Sequence, residues 1–538
     1  MKFKADQSEQ KLRGAYYTPI DIAKYICDWI SHVRPIKILE PSCGDGIFIQ
    51  ALHDVGLKNI QIQVAEIDRN EADKAVELSK GLDIPLDIHL GDFLDWATPV
   101  IIHKHEQFDA VIGNPPFIRY QFLEKSFQDN IEFLFKSLDL KFSKHTNAWV
   151  PFVLAGVSLL KPGGRLGMVI PSELINVMHS QPLRQFLGVE CSKILIIDPK
   201  DIWFEDTLQG AIILLAEKKL TNNCESLGVA IKQVEGWDFL NIDPQTEFEK
   251  AKPINGKTVS GKWTKAILNE KEIHVLEKTL KNKMVHRFSD IAKVDVGIVT
   301  GANDFFLVKD SVVEEFDLRP YSHPMFGRSE HCKGVIYDQN QFNYNKTSGH
   351  PTNFIYLSDE YEVLPDKVKK YVLLGELQDL HTRYKCRIRK PWYKVPSVYS
   401  TNIGMLKRAH DVPRLIFNEL GAYTTDTAYR VESKGVAPEL LVYCFMNPLT
   451  ALMAELEGRS YGGGVLELVP SEIEKLYLPL PDINFNLREL DKDVRTKDFD
   501  EILLGHGQKI LLKIGLSKDE IKVLFTAWSK LKNRRQRK

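Results

Sequence analysis

Short apolar runs alternate with longer amphipathic stretches over about the first 220 residues of the chain. The apolar runs have the length of buried strands, and they begin at Ile36, Ile60, Ile88, Phe108, Arg165, Ile194 and Ala211. Residues 20–30, 69–80 and 149–160 have instead the length and pattern of helices. The alternation predicts an α/β fold with a doubly wound, seven-stranded sheet, and such sheets bind ligands at the carboxyl ends of their strands.

A glycine-containing loop, Pro-Ser-Cys-Gly-Asp-Gly at residues 41–46, joins the first strand to the next helix. Such a loop brings backbone N–H groups and a helix N-terminus close to a ligand, and its glycines permit close approach. The spacing is not GxGxxG and no Walker lysine follows, so a phosphate cradle is not indicated. We therefore expect the loop to lie close to a ligand that it does not hold through a phosphate cradle.

Carboxylates stand at the ends of the next two predicted strands, Glu66 after the second and Asp92 after the third. A carboxylate after the second strand suits a ribose diol, and one after the third suits an exocyclic amine. Each acid alone is also explained as a solvated strand-end carboxylate. Their order along the chain, with Asn114 closing the fourth strand, favours a binding site.

Asn114-Pro-Pro-Phe117 follows the apolar run that begins at Phe108. The Asn114 side-chain oxygen and the Pro115 carbonyl can both accept hydrogen bonds from one exocyclic amino group, and two prolines stiffen the turn. Phe117 offers a face for stacking. The tetrapeptide alone is also compatible with an ordinary turn at the end of a strand.

With these motifs the chain resembles the S-adenosylmethionine-dependent amino-methyltransferases of DNA, in particular the N6-adenine enzymes of the gamma arrangement. The specific motifs cover about the first 220 residues, beginning with Gly14-Ala-Tyr-Tyr-Thr-Pro19. The resemblance implies a Rossmann-like methyltransferase domain at residues 1–245, S-adenosylmethionine as cofactor and double-stranded DNA as partner. It also implies a mixed α/β target-recognition domain at residues 265–538.

The resemblance assigns roles to individual residues of this chain. It implies cofactor contacts from Tyr16, Thr18, Pro19, Glu40, Ser42, Gly44, Gly46, Glu66, Asp92, Phe93 and Asn114. Within that set, Glu66 matches the acid that holds the ribose hydroxyls, and Asp92 the acid that takes the adenine amino group. Asn114, Pro115 and Phe117 match the catalytic turn.

A target adenine cannot be reached inside a duplex, so we expect it to be extruded and held between Phe117 and Phe204. Phe204 occupies the place where the family uses a second aromatic against the flipped base. The alternative is that Phe204 is an aromatic residue of the core. Trp203 beside it could equally be the residue that packs inward.

A basic cluster in the second half predicts a DNA-binding surface. Residues 381–413 contain eight Lys or Arg and one acid, interleaved with aromatics. Arginine and lysine at every second position from 383 to 389 predict a strand with one face toward phosphates. The proposed contacts are Arg383, Lys385, Arg387, Arg389, Lys390, Trp392 and Lys394. A solvated strand face is the alternative, and it is the better explanation for any single residue.

Three further segments carry weaker predictions. Residues 120–147 interrupt the strand–helix rhythm and are interpreted as an insertion over the active site. Residues 459–464, Arg-Ser-Tyr-Gly-Gly-Gly, suggest a loop at the DNA face or a simple hairpin. Residues 530–538 hold six basic residues and no acid, and are predicted to be an exposed end that helps nonspecific DNA binding.

The composition of the chain favours a large soluble enzyme. The 538 residues have a net charge of −1 and 43% hydrophobic content. We expect no membrane span, because no apolar stretch approaches ~20 residues, and no signal peptide, because the first residues lack an apolar centre. Seven scattered cysteines without a CxxC pair indicate reduced thiols in a cytoplasm, and no metal site.

The leading hypothesis is a site-specific DNA N6-adenine methyltransferase that protects its site from a cognate restriction endonuclease. An RNA or protein-glutamine amino-methyltransferase is the second, and a DNA-recognition subunit with an idle transferase domain is the third. The sequence leaves open the target site, the oligomeric state, the partner nuclease and the choice between adenine and cytosine amino groups.

Overall fold

The computed structural model of the chain describes residues 18–200, 210–254, 261–461 and 463–537. These residues form two compact units, of which the first extends to Leu268 and the second is Asn269–Gln536. Each unit has sheets and a buried core of its own. The predictions for Tyr16 and Phe204 lie outside the described residues.

The first unit is built on one large sheet, which has eight strands among the described residues. Its strands are β1 Lys37–Glu40, β2 Gln61–Glu66, β3 Leu86–Leu90, β4 Phe108–Gly113, β5 Leu160–Pro171, β6 Cys191–Pro199, β7 Ala211–Lys218 and β8 Val229–Val234. Their order is β3-β2-β1-β4-β5-β7-β6-β8, and β7 runs antiparallel to both of its neighbours. The sheet therefore has the predicted doubly wound order, with one strand more than expected.

The additional strand is β8, which pairs in parallel with β6 at the edge of the sheet. Its sequence, Val-Ala-Ile-Lys-Gln-Val, is buried only at the first two residues and the last. An edge strand with a partly polar face gives a weak hydrophobic pattern, which is why the sequence predicts seven strands.

Helices cover both faces of this sheet. They are α1 Ile20–Ser31, α2 Ile47–Asp54, α3 Arg69–Gly81, α4 Phe93–His103, α5 Lys125–Ser137, α6 Trp149–Leu159, α7 Gln181–Glu190 and α8 Pro244–Lys250. Neighbouring residues of β7 show the two layers, since Leu214 packs with the α4–α7 side and Leu215 with the α1–α3 side. The doubly wound α/β class is confirmed.

Two helices that border the strand ends begin at acidic residues. Asp68 caps α3 by accepting a hydrogen bond from the Asn70 backbone N–H, and Asp92 caps α4 by accepting one from Leu94. A side-chain oxygen at this position satisfies a backbone donor that the helix leaves free. The caps fix the chain direction directly after β2 and β3.

Residues 120–147 are largely helical rather than an irregular insertion. The segment contains a 3-10 turn at Tyr120–Phe122 and the helix α5. Its two ends meet in an antiparallel bridge between Arg119 and Asn147. The apolar side of α5 is buried through Ile131, Leu134 and Phe135, so the segment belongs to the core of the first unit.

The second unit contains several small sheets. Its strands are β9 Val285–Arg287, β10 Ala292–Val296, β11 Leu307–Val308, β12 Ser322–Phe326, β13 Asn353–Ile355, β14 Ile403–Leu406, β15 Arg408–Ala409, β16 Leu415–Phe417, β17 Tyr423–Thr424, β18 Ala428–Ser433, β19 Arg459–Tyr461, β20 Val465–Glu467 and β21 Tyr477–Pro479. The sheet orders are β10-β18-β14-β16, β11-β13-β12-β17, β15-β20-β19 and β21-β9.

The helices of the second unit range from single turns to one long helix. They are α9 Glu270–Leu280, α10 Phe288–Ile291, α11 Asn303–Phe306, α12 Asp310–Glu315, α13 Gln339–Thr347, α14 Asp366–Leu377, α15 Tyr384–Arg387, α16 Pro438–Phe445, α17 Pro448–Glu457, α18 Pro470–Ile473, α19 Leu487–Thr496, α20 Phe499–Ile502, α21 Gln508–Lys513 and α22 Lys518–Gln536.

No single described helix is long and apolar enough to cross a membrane. The pair α16 and α17 meets that test by length and composition only when the two are joined across an 80° bend.

The strand predicted over residues 383–389 is wrong, because this part of the chain forms the short helix α15. The alternation of basic and other residues predicts a strand with its basic face toward phosphates. In the structure only Cys386 of the non-basic positions is buried, while Tyr384 and Ile388 are 64% and 62% exposed. The period-two pattern therefore does not correspond to two faces of a sheet.

The prediction of an exposed basic tail is also wrong. Residues 530–536 belong to α22, where Arg535 is buried and donates hydrogen bonds to the carboxylate of Glu455. Arg535 also donates to the His410 carbonyl at 2.8 Å and to the Gly464 carbonyl. Gly464 lies between β19 and β20, which pair as an antiparallel hairpin, as one of the two interpretations of this segment predicts.

We expect Arg535→Ala to lower the free energy of unfolding of the second unit by about 3–5 kcal/mol. The change leaves the Glu455 carboxylate buried without its cation, and burial already raises the pKa of Glu455. Calorimetric melting of the full chain measures the effect. Lys522→Ala, at an exposed position of the same helix, is the matched control. Equal melting temperatures for the two variants would contradict a structural role for the buried pair.

Candidate active site

The ends of four parallel strands bring the predicted site residues together. Strands β3, β2, β1 and β4 are adjacent in that order. Glu40 is the last residue of β1 and Glu66 the last of β2, while Asp92 and Asn114 follow closely on β3 and β4. Because parallel strands end at the same edge, one edge of the sheet carries three carboxylates and an amide.

The glycine loop after β1 is tied to the end of β2. The Cys43 backbone N–H donates to the Ala65 carbonyl at 3.1 Å, and the Gly44 backbone N–H donates to Glu66 Oε2 at 2.9 Å. Gly46 has φ of +93°, and a Cβ there would lie 3.1 Å from Leu78 Cδ2. Glycine is therefore required where the loop turns into α2 against α3.

The Glu66 carboxylate is held by three backbone donors. Oε2 accepts from Gly44, and Oε1 accepts from the N–H groups of Ile67 at 2.8 Å and Asp68 at 2.9 Å. This geometry differs from that of a freely solvated strand-end carboxylate, which would be hydrated and mobile. Glu66 is a fixed group that orients acceptor lone pairs at the edge of the sheet.

Asp92 is fixed in a similar way. Its Oδ1 accepts from the Leu94 backbone N–H at 2.9 Å, and its Oδ2 accepts from Asn130 Nδ2 at 2.8 Å. Burial raises the pKa of Asp92, while the hydrogen bonds from Asn130 and Leu94 oppose that rise. Phe93 beside it is buried, with its ring centroid 5.2 Å from that of Phe152. Phe93 thus supports the site from within the core.

Glu40 is buried at the end of β1, and neither carboxylate oxygen has a hydrogen-bond partner among the described residues. Burial raises the pKa of Glu40 well above its ordinary value, and the nearby carboxylates of Glu66 and Asp45 add to the effect. A buried carboxyl group without a partner is costly. Such a group is expected where an incoming ligand supplies the missing hydrogen bonds.

The Asn114 turn is anchored on both sides. Asn114 Nδ2 donates to Thr18 Oγ1 at 3.1 Å, and Ser42 Oγ donates to the Asn114 carbonyl at 3.2 Å. Thr18 is buried just before α1, whose N-cap is Pro19. These contacts orient the amide, because its nitrogen end faces Thr18. Phe117 is partly buried against the core of the first unit.

Two family models match the chain one after the other. The model described as Eco57I restriction-modification methylase matches residues 49–203. The model described as Type II methyltransferase M.Eco57I, C-terminal domain, matches residues 260–511. The chain belongs to the type II restriction-modification methylases. Within this methylase the boundary between the two structural units, Leu268 to Asn269, lies near the start of the second match.

Relatives extend the likeness over the whole methylase. The type II methyltransferase M.AccI of Acinetobacter calcoaceticus is 26% identical over 97% of the methylase and 95% of its own length. The type II methyltransferase M.BanIII of Aneurinibacillus aneurinilyticus is 27% identical, over 45% of the methylase and 43% of its own length. The methylase therefore matches less than half of the length of this second relative.

A solved structure has the same fold over most of the chain. It is a nuclease-deletion mutant of the Type ISP restriction-modification enzyme LlaGI in complex with a DNA substrate mimic. The TM-score is 0.51 at 13% identity, over 89% of the methylase and 46% of that chain. At this identity the likeness concerns the fold alone.

The sequence did not indicate two residues of this edge. Asn130 lies on α5 and reaches Asp92 although 38 positions separate them in the chain. Its contact depends on tertiary packing, and no local motif marks it. Ile67 follows Glu66 and is 71% exposed. An apolar side chain directly after a strand-end acid is a signal that the sequence does contain.

The seven residues predicted to bind DNA divide into two groups. Arg383, Lys385, Arg387 and Lys390 are exposed. Arg389 instead donates to the carbonyls of Val299 at 2.6 Å and Thr300 at 2.8 Å.

The other two residues also have protein partners. Trp392 is buried, and its Nε1 donates to Glu376 at 3.1 Å. Lys394 pairs with Glu360 at 2.5 Å. Arg389, Trp392 and Lys394 therefore have structural explanations, whereas the four exposed cations remain candidates for contact with phosphates.

One group in the second unit has metal-ligand residue types. The ligand atoms of Glu330, His331 and His350 lie within 4.8 Å of one another. His331 is buried, and its Nδ1 accepts a hydrogen bond from the Gly327 N–H at 3.3 Å. A neutral imidazole that accepts at Nδ1 carries its proton on Nε2, so that nitrogen has no lone pair for an ion. Burial lowers the pKa of His331 to about 4, which keeps the ring neutral at pH 7. Packing therefore explains the group better than metal binding.

We expect Glu40→Gln to remove a stability penalty that grows with pH. Burial raises the pKa of Glu40 in the folded protein above the ordinary value of 4.5, so the unfolded chain releases this proton first as the pH rises. Above about pH 4.5 this group lowers the stability of the wild type by at most about 1.4 kcal/mol per pH unit. The glutamine variant lacks this slope.

Melting temperatures of the two proteins between about pH 5 and 8 measure the difference. The melting temperature of Glu40→Gln minus that of the wild type should increase as the pH rises. Glu225→Gln, at an exposed position, is the control and should show a constant difference. A constant difference for Glu40→Gln as well would contradict the burial of an unpartnered carboxyl group.

Proposed function

We propose that this methylase transfers a methyl group from S-adenosylmethionine to the N6 amino group of an adenine in double-stranded DNA. The observation that carries the proposal is the anchored turn at Asn114, whose amide is oriented by Thr18 and whose carbonyl is held by Ser42. The turn lies at the same sheet edge as the three carboxylates. An oriented amide oxygen at Asn114, beside a cofactor site, is suited to accept a hydrogen bond from an amino group.

The residues at this edge fit the proposed cofactor. Glu66 presents fixed carboxylate oxygens suited to the ribose hydroxyls, and Asp92 presents Oδ2 to an exocyclic amine. Glu40 has no hydrogen-bond partner among the described residues, and a donor of the ligand, such as the ammonium of the methionine part, would supply one. Gly44 has open space where a Cβ would lie and lets the ligand approach the loop closely, whereas Gly46 lets the loop pack against α3. When bound, S-adenosylmethionine supplies a methyl group activated by its positive sulfur.

The Asn114 turn activates the amino group of the target. The lone pair of an adenine amino group is delocalised into the ring, so the group is a weak nucleophile. We assign Asn114 Oδ1 and the Pro115 carbonyl as acceptors for its two hydrogens, which favours a pyramidal nitrogen with a directed lone pair. The new C–N bond would form as the S–CH3 bond of the cofactor breaks and leaves S-adenosylhomocysteine, so that positive charge would pass from sulfur to the nitrogen beside these fixed dipoles. The nitrogen then loses one proton to water.

The target base has to leave the duplex to reach this turn. We assign Phe117 as one stacking surface, because its ring is partly buried and thus held in place. Phe204 is proposed as the second surface. The choice of adenine and the gamma arrangement also belong to the proposal, and they rest on the resemblance of the motifs.

The second unit is proposed as the target-recognition domain. The structure of LlaGI contains a DNA substrate mimic, and M.AccI and M.BanIII carry the name of type II methyltransferases, which supports DNA as the partner. The methylase would modify the site of a separate restriction endonuclease. A cytoplasmic location is part of the proposal, since all seven cysteines are free thiols.

We expect Asn114→Ala to reduce methyl transfer at least about 100-fold, as loss of an oriented hydrogen-bonding group does in other active sites. Affinity for the cofactor should change little, because Glu66 and Asp92 remain. Single-molecule sequencing with modification detection, on DNA from cells that express each protein, reads out the reaction. Calorimetry with S-adenosylhomocysteine reads out binding.

Asn222→Ala, at an exposed position of the same unit, is the matched control and should methylate normally. A short DNA motif that carries N6-methyladenine only in cells with active protein would identify the reaction and the recognition site together. Loss of cofactor binding in Asn114→Ala would contradict the catalytic role. Absence of any modified motif with a wild type that binds cofactor would favour an RNA or protein substrate.

We expect the double variant Lys385→Ala and Arg387→Ala to weaken DNA binding and its dependence on salt. Each cation that binds a phosphate contributes about 0.9 to the slope of log K against log salt, so the loss of both should reduce the slope by about 1.8. Fluorescence anisotropy with a duplex at several salt concentrations measures the slope. Lys394→Ala is the control, because its cation is paired with Glu360 and it should keep the wild-type slope. An unchanged slope in the double variant would mean that these residues of α15 do not contact DNA phosphates.

A further inference from the structure

The hydrogen bond between Asn130 and Asp92 connects the segment 120–147 to the cofactor edge. Asn130 Nδ2 lies 2.8 Å from Asp92 Oδ2. Asp92 Oδ1 is occupied by the cap of α4, at 2.9 Å from the Leu94 nitrogen. Each oxygen of Asp92 therefore accepts one hydrogen bond within the protein, and Asn130 determines the surroundings of Oδ2.

Packing holds Asn130 in this position. The helix α5 is anchored through Ile131 and Leu134 in the core of the first unit. Near the start of the helix, Gln128 Nε2 donates to the carbonyls of Tyr120 and Leu123, both at 3.0 Å. These contacts tie the start of α5 to the preceding turn. The amide of Asn130 is thus presented by a rigid element rather than by a loop.

The hydrogen-bonding groups of Asn130 and Asp92 favour a ligand group that donates hydrogen bonds. An amide donates through its nitrogen and accepts through its oxygen, and a carboxylate oxygen accepts more than one hydrogen bond. With Asn130 Nδ2 directed at Asp92, both Asp92 Oδ2 and Asn130 Oδ1 are acceptors. The amino group of adenine has two hydrogens to donate to such a pair. The keto oxygen of hypoxanthine, at the same ring position, is an acceptor and would meet two acceptors.

The same contact favours the ionised form of Asp92. Burial raises the pKa of this carboxyl group, and the negative charge of Asp95 adds to the rise. The hydrogen bonds from Asn130 and Leu94 lower the pKa, and His89 acts in the same direction. Removal of Asn130 takes away the largest of the opposing contributions. A protonated Asp92 would be a poorer acceptor for an amine.

We propose that Asn130 is a specificity-determining residue for the purine of the cofactor, because it aligns Asp92 Oδ2 and adds a second acceptor for the exocyclic amino group. The inference rests on the proposed function, which supplies an adenine-containing cofactor. It assigns a binding role to α5, a helix between the catalytic turn and α6 to which the motifs give none.

Calorimetry with two ligands on the full chain tests the inference. S-adenosylhomocysteine carries the amino group, and S-inosylhomocysteine carries oxygen in its place. We expect the wild type to prefer the adenine ligand. Asn130→Ala should lose roughly 10-fold in affinity for the adenine ligand, the equivalent of one hydrogen bond, with little change for the inosine ligand. Asn130→Asp, which replaces the donor with a second carboxylate, should lose more.

Lys125→Ala on the exposed side of α5 is the matched control and should keep both affinities. Alanine is a better helix former than asparagine, so the Asn130→Ala variant is expected to fold, and its melting temperature without ligand checks this. An equal loss for both ligands would mean a structural role and would overturn the inference. Unchanged affinities in Asn130→Ala would also overturn it. A wild type that binds neither ligand would overturn the proposed function itself.

Discussion

The common edge formed by the carboxyl ends of β1 to β4 is the constraint on which the rest of the site depends. Parallel pairing of these strands places Glu40, Glu66, Asp92 and Asn114 side by side although they are far apart in the chain. The sheet alone does not orient the side chains. Backbone N–H groups do so for Glu66, while Thr18 and Ser42 do so for the Asn114 turn. Position and orientation thus have separate structural causes.

The edge keeps acidic groups in states that are unfavourable for a folded protein without ligand. Glu40 has no protein partner for its oxygens among the described residues, and burial raises the pKa of both Glu40 and Asp92. Sites that bind charged or polar ligands commonly accept such a cost, because the ligand then replaces the missing hydration. The methylase therefore resembles other enzymes in which stability is reduced locally in favour of binding.

Much of the first unit could be predicted from sequence, because its signals are local. The strand at Phe108–Gly113 follows from an apolar run, and the helix that starts at Arg69 follows from its length and pattern. The edge strand Val229–Val234 escaped prediction because only three of its six residues are buried and two of the others are polar. Residues 383–389 show a period of two without two faces, and Asn130 acts through a contact that only packing creates. Predictions failed where tertiary structure overrides a local pattern.

The bridge between Arg119 and Asn147 has a consequence for how this fold can change in evolution. It brings the two ends of the α5 segment together, so the turns on either side of the buried helix can change length without displacing the chain before and after the segment. The entropic cost of a longer closed segment rises slowly with its length. Insertions and deletions between these two residues can therefore accumulate while the Asn114 turn and α6 stay in place. Relatives of this methylase can differ there in length, and with it in the group that faces Asp92.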